Sequence, residues 1–226
     1  EEILSLVNKT EKEIMLSDSI IIGDIDIATG ESEGVRTIAK CASLLSSINP
    51  GIHYHLYSGN SDFVLDKLDN GLVDFGIVFG QVDLKVYNSI LLPPVDTWGV
   101  LMRSDSPLAS REYIGAEDLW DKPLIISQAE ALGGDVLQWM RKDVEELNIV
   151  ATYNLLFNTT FLVEEGLGYA ICFNKIIDTS SNKLIFKPLE PTLTAHMYLV
   201  YKKSKGLSKP AEKFLEILKE EIKSED

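Results

Sequence analysis

The chain has little of what would let it work through covalent staples, metal clusters or membrane insertion. Its 226 residues include two cysteines, Cys41 and Cys172, and three histidines, His53, His55 and His196. The cysteines lie far apart in apolar segments without metal-ligand spacing, so free, buried thiols are expected. His53 and His55 share a strand face but have no third ligand nearby. Every apolar stretch is broken within ten residues by Asp, Gly or Lys, which leaves no membrane span. Glu1 and Glu2 are acidic where a signal peptide would be basic, and a cytoplasmic location is expected. Basic residues are also scarce. Lys and Arg number 21 against 35 Asp and Glu, a net charge of -14. The short basic pairs Arg141-Lys142 and Lys202-Lys203 are flanked by acidic residues, so this chain is not expected to grip a nucleic-acid backbone.

Catalytic signatures are missing as well. There is no GxSxG elbow, no HExxH and no coherent Ser/His/Asp set. The loop TGESEG, residues 29–34, lacks the glycine spacing of a dinucleotide site and the Lys-Ser/Thr pair of a phosphate loop. No catalytic residue, cofactor or metal is expected, and an enzyme is not the preferred reading.

What is present is patterning. Hydrophobic residues make up 45% and charged residues 25% of the chain, the usage of a soluble globular protein. Residues 1–16 space Ile3, Val7 and Ile14 as an amphipathic helix. A buried strand over 20–28 follows. Next come a helix with Val35, Ile38, Leu44 and Leu45 on one stripe, stopped by Asn49-Pro50-Gly51, and a strand over 52–57. A helix over 63–68 is capped at Asn60-Ser61-Asp62 and leads to a third strand over 72–79. This β-α-β-α-β order, with nearly continuous apolar strands, predicts a parallel sheet with helices on both faces.

The second half repeats the first. Strands over 123–127, 153–157 and 168–173 alternate with a helix over 135–146 and one capped at Asn158-Thr159-Thr160. GNSDFVLDKLDNGLVDFGIV, from Gly59, parallels FNTTFLVEEGLGYAIC, from Phe157. The match pairs Asn60 with Asn158 and Gly71 with Gly166, and makes the second helix about one turn shorter. WGVLMRSDSPLA, from Trp98, parallels MYLVYKKSKGLS, from Met197. The strand at Trp98 therefore belongs to the second unit and its partner at Met197 returns to the first, through crossovers within 81–96 and 188–194. The fold class expected is α/β, two Rossmann-like lobes joined by two crossover strands. Lobe I comprises 17–84 plus 195–226, and lobe II comprises 85–194. A last helix over 209–223 packs Phe214, Leu218 and Ile222 on one face.

In open α/β sheets, ligands lie beyond the carboxyl ends of the strands, where helix N-termini point free N–H groups. The candidate ligand-binding residues are accordingly Thr29, Gly30, Glu31, Ser32, Gly59 and Asn60 from lobe I. Lobe II supplies Ser127, Asn158, Thr159 and Thr160. Each is also an ordinary helix cap, so the expectation rests on four loops converging. The helix N-termini favour an anion, whereas Glu31 and Glu33 would repel one or prefer an amine. The ligand's charge is thus left open.

In this order, IIIG at the first strand, INPGI before the second, LYSGNSDFVLDKLDNGLVDFGIV, WGVLMRSDSPLA, EEGLGYAIC and the helix after LSKPAEKFL resemble a known family. Over residues 20–218 the chain is similar to the effector-binding domain of LysR-type transcriptional regulators, a type 2 periplasmic-binding-protein fold. The resemblance implies that 1–16 ends a linker helix and that DNA is contacted only through an N-terminal winged helix-turn-helix outside this sequence. It further implies a small-molecule effector in the interlobe cleft, held at 30–32 and 158–160, and a homodimer, or a tetramer in the full-length protein. The loop after the first strand departs from the family's pattern: it is longer and contains Glu31. A solute-binding protein of a transport system, on the same fold, is the alternative.

Overall fold

The structure, a computed structural model, describes residues 21–80, 82–180 and 183–225. The helix expected over 1–16 lies outside the described residues. In lobe I, β1 (Gly23–Thr29) runs parallel between β2 (Ile52–Ser58) and β3 (Phe75–Phe79), with Gly23 opposite Ile52 and Ile27 opposite Phe75. Two helices link these strands, α1 (Val35–Ile48) and α2 (Ser61–Asp69). The buried stripe of α1 is Ile38, Cys41 and Leu45, spaced i, i+3, i+7. Leu44, expected on that stripe, is 43% exposed, because one residue of helix turns it about 100° away from Leu45.

Lobe II repeats the arrangement, with β5 (Leu124–Ser127) parallel between β6 (Ile149–Tyr153) and β7 (Tyr169–Phe173). Its first connection is broken where one helix over 135–146 was expected. It consists of α3 (Gln128–Ala131), α4 (Asp135–Met140) and a 3-10 turn, Val144–Glu146. Arg141, at φ 54° and ψ 36°, ends α4 in the left-handed region, and Glu146 takes the Asp143 N–H at 3.0 Å to start the turn afresh.

The strand expected over 153–157 lies four residues earlier, and α5 (Leu156–Glu164) begins where it was to end. The buried face of α5 is Leu156, Thr159, Thr160 and Val163, a helical i, i+3, i+4, i+7 set. Asn158, Thr159 and Thr160 are therefore internal helix residues and not a cap. The repeat also needs realignment. Helices α2 and α5 are both nine residues long, and each is followed by a left-handed glycine, Gly71 (φ 68°) and Gly166 (φ 81°). Glycine adopts that conformation without steric cost. Counting back from these glycines, Asn60 corresponds to Leu155 and not to Asn158.

The crossovers are strands. β4 (Tyr87–Arg103) pairs with β9 (Thr194–Lys202) over its first part and with β7 and β8 (Leu184–Pro188) over its last. The register slips between Leu91 and Val95, at Pro93-Pro94, which have no N–H to give a ladder. As expected, Trp98 is paired in lobe II, with Phe173, and Met197 in lobe I, with Phe79. The order is β2-β1-β3-β9-β4-β7-β5-β6, with β8 on β4. The parallel sheet expected of each β-α-β-α-β unit is present, and the crossover strands β9 and β4 add to it antiparallel, since chain passing between lobes must enter one and leave the other.

Helix α6 (Lys209–Glu225) returns to lobe I, where Phe214 and Leu218 are fully buried with Ile25, Phe75 and Met197. Each such side chain contributes about 1.5–3 kcal/mol by leaving water. Ile222 packs at the edge of this core. Cys41 and Cys172 are both buried and free.

Candidate functional site

A cavity of about 130 Å³ lies where the strands of both lobes end. Gly30 follows β1, Gly59 follows β2, and Phe79 ends β3; Ser127, Tyr153 and Phe173 end β5, β6 and β7, and all of them line it. This is the placement that strand carboxyl ends impose on ligands in open α/β sheets. Its floor is aromatic. Phe173 lies 4.1 Å from Trp98 and 4.7 Å from Phe79, ring centre to ring centre, so mutually tilted rings in contact run from lobe I to lobe II across β4. Trp98 is 5% exposed, and its indole Nε1 has no hydrogen-bond partner among the described residues. Such a buried orphan donor costs about 1–3 kcal/mol.

The cavity's ionisable wall is acidic. Glu31, from the loop after β1, crosses the cleft and accepts the N–H of Leu156, the first residue of α5. The N-cap of α5 is Leu155, whose side chain offers no acceptor, so a lobe I carboxylate caps a lobe II helix. Glu130, at the end of α3, accepts the Val136 N–H at 2.7 Å. Burial pushes the Glu130 carboxyl above its ordinary range, and the Val136 N–H pulls it part of the way back. Among the described residues, no Lys, Arg or His lines the cavity.

Behind this wall the hinge is tied to the loop after β1. Asp96 of β4 is 3% exposed and accepts the Ser32 hydroxyl at 2.6 Å and the Glu33 N–H at 3.3 Å. Its pKa is raised by burial, with the Ser32 and Glu33 hydrogen bonds acting in the opposite direction.

Of the residues selected from sequence, Gly30, Glu31, Gly59, Asn60 and Ser127 line the cavity. Asn60 also caps α2, accepting the Phe63 N–H at 3.1 Å, and Ser127 accepts the Glu130 N–H at 3.2 Å. The others do not reach it. The Thr29 hydroxyl bonds to the Gly30 carbonyl at 2.8 Å, and Ser32 is turned to Asp96. Asn158 is exposed on α5, while Thr159 and Thr160 are buried in its inner face. Sequence reasoning missed Phe79, Trp98, Glu130, Tyr153, Asn154 and Phe173, all of which line the cavity. The strand-end rule would have found Phe79 and Phe173, each the last residue of the third strand of its repeat.

Burial pushes the Cys172 thiol up to about 12, which favours the thiol over the thiolate near neutral pH. Tyr153, whose pKa burial raises well above the ordinary value, gives its O–H to the Ile171 carbonyl at 2.7 Å. Among the described residues, no group of three or more His, Cys, Asp and Glu is placed to hold a metal, and no helix is long and apolar enough to cross a membrane.

A two-lobed α/β fold with an interlobe cleft defines a small-molecule-binding domain of the type 2 periplasmic-binding-protein class. The LysR substrate binding domain family matches residues 22–223; the chain belongs to this family and is the effector-binding domain of a LysR-type regulator. It is 23% identical over 221 residues to the HTH-type transcriptional regulator YvbU of Bacillus subtilis, covering 97% of this chain and 74% of that protein. Among solved structures it is similar to the effector binding domain of QuiR in complex with shikimate. That match has a TM-score of 0.75 at 17% identity over 90% of this chain and 99% of that one. It is also similar to the Synechocystis PCC6803 CcmR regulatory domain in complex with 2-PG, with a TM-score of 0.74 at 17% identity over 89% and 98% of the two chains.

Proposed function

We propose that this chain senses a small molecule in its interlobe cleft and transmits occupancy to a helix-turn-helix domain outside this sequence, which alone touches DNA. The carrying observation is one cavity walled by both lobes, by Gly30, Gly59 and Asn60 on one side and Ser127, Gln128 and Asn154 on the other. A ligand touching both walls binds one lobe arrangement better than another and shifts the population toward it. Thr29, Ser32, Asn158, Thr159 and Thr160 act in this reading from behind the wall. The lobe boundaries remain 17–84 plus 195–226 for lobe I and 85–194 for lobe II, with β4 and β9 as hinge. The chain works in the cytoplasm as part of a homodimer, and performs no catalysis. The net charge of -14 supports leaving DNA contact to another domain.

A thermal-shift screen of metabolites tests this reading. A true effector at a hundred times its Kd adds about 2.7 kcal/mol to stability, and Gln128→Ala is expected to weaken the response while leaving the unliganded melting temperature within a few degrees. Hits whose affinity ignores both Gln128→Ala and Trp98→Phe would place the effector elsewhere and overturn the assignment of the cleft.

A further inference from the structure

The cavity's chemistry is lopsided in a way that selects a ligand class. Two carboxylates, Glu31 and Glu130, stand in its wall, and among the described residues no basic side chain lines it. Each spends its Oε2 on a backbone N–H, of Leu156 and Val136 respectively. A carboxylate has about four lone-pair sites, so both retain acceptor capacity. The N-terminus of α5 carries roughly half a positive charge, which offsets only part of one carboxylate. More to the point, the place where an anionic ligand would meet α5 is already taken by Glu31. Phe79, Trp98 and Phe173 line the same cavity, and aromatic faces attract cations by about 0.5–2 kcal/mol. Independently of the carboxylates, the Trp98 Nε1–H is buried without an acceptor, and an ammonium group cannot supply one.

We infer that the cleft binds a small organic ammonium ion that also carries an uncharged hydrogen-bond acceptor, such as a hydroxyl or carbonyl. The ammonium sits between Glu31, Glu130 and the aromatic floor, and the acceptor takes the Trp98 N–H. This rests on the cleft being the sensing site, and it specifies what is sensed there. Carboxylate ligands meet an acidic wall and an α5 N-terminus that is already capped.

The test uses the 226-residue chain in melting and titration experiments at constant ionic strength set with sodium chloride. The probes are the amino alcohols ethanolamine and choline; tetramethylammonium, a cation without an acceptor; dimethylbutanol, the uncharged carbon analogue of choline; and shikimate, a carboxylate. An amino alcohol is expected to give a saturable shift, with dimethylbutanol at least about tenfold weaker and shikimate without effect. Glu31→Gln and Glu130→Gln should each weaken the amino alcohol about tenfold. Trp98→Phe should weaken it about fivefold and weaken tetramethylammonium, which takes no hydrogen bond from the indole, by less. Glu130 helps hold α4 and Glu31 caps α5, so the unliganded melting temperatures of both variants are measured alongside, and Trp98→Phe decides the matter if either does not fold. No saturable shift with either amino alcohol, or equal binding of dimethylbutanol, would overturn the inference. Binding of shikimate alone, lost in Gln128→Ala, would overturn the ligand class and leave the sensing role standing. Failure of the sensing role itself would show instead as ligands that ignore every cleft variant.

Discussion

The two lobes are the same β-α-β-α-β sequence written twice, yet they hold their helices differently. In lobe I, α1 is an unbroken helix of 14 residues, and α2 starts on its own cap, Asn60. In lobe II the counterpart of α1 is split into α3 and α4, and the counterpart of Asn60 is Leu155, which caps nothing. Lobe II compensates with carboxylates at the cleft, Glu130 from within and Glu31 from lobe I. Lobe I also gains α6, whose Phe214 and Leu218 fill its core. The self-sufficient lobe thus serves as the frame, and the other depends on the cleft for a helix start. The bond from Leu156 to Glu31 thus ties the start of a lobe II helix to a loop of lobe I.

The largest expected effect tests the frame. Phe214→Ala removes a fully buried ring 5.5 Å from Phe75 and should cost about 3–5 kcal/mol in urea unfolding. A loss no greater than that of Leu167→Ala, at a surface leucine of lobe II, would deny α6 its place in the core. Next comes the borrowed cap. Glu31→Gln is expected to cost about 1.5 kcal/mol or more, the scale of a hydrogen bond to a charged group, and to expand the molecule in X-ray scattering as the lobes part. Asn60→Ala should cost about 1 kcal/mol and leave the scattering unchanged, because that cap stays within lobe I. If Asn60→Ala opens the molecule and Glu31→Gln does not, the contrast between the lobes fails.

The smallest effect is a pH slope. Burial raises the folded pKa of Glu130 from 4.5 and of Asp96 from 3.8. Between those ordinary values and the raised ones, the folded state holds protons that the unfolded state has released. Stability contributed by these groups is therefore full below the ordinary values and lost as pH rises through the raised ones. Replacing them as Glu130→Gln and Asp96→Asn should flatten this acid-side slope in melting curves taken from pH 3.5 upward. An unchanged slope would show that burial does not perturb them.

Much of this was legible in the chain. Periodicity placed the strands of lobe I to within a few residues, and the expected return of Met197 to lobe I was correct. The errors concentrate in lobe II, and they share a cause. The run Tyr153 to Phe157 is apolar enough for a strand, so its character outweighed the spacing of Leu156, Thr159, Thr160 and Val163, which is helical. The resulting three-residue slip made Asn158 the partner of Asn60 and put a cap, and a ligand contact, where the fold has a helix interior. The helix-ending glycines were the better guide, because a left-handed residue after a helix is a backbone requirement that few side chains meet.

By itself the sequence determined the order of elements, the doubling of the unit and the loops at the strand ends, since these follow from which face of each segment avoids water. Only the tertiary structure decided what those loops meet. It joined Glu31 to Leu156, 125 positions along the chain, tied Ser32 to Asp96, and laid Phe79, Trp98 and Phe173 in one floor. Local patterning records that a side chain will be buried or a helix end capped, but the partner is chosen by strand order and by the angle between lobes. No single segment of the chain encodes either.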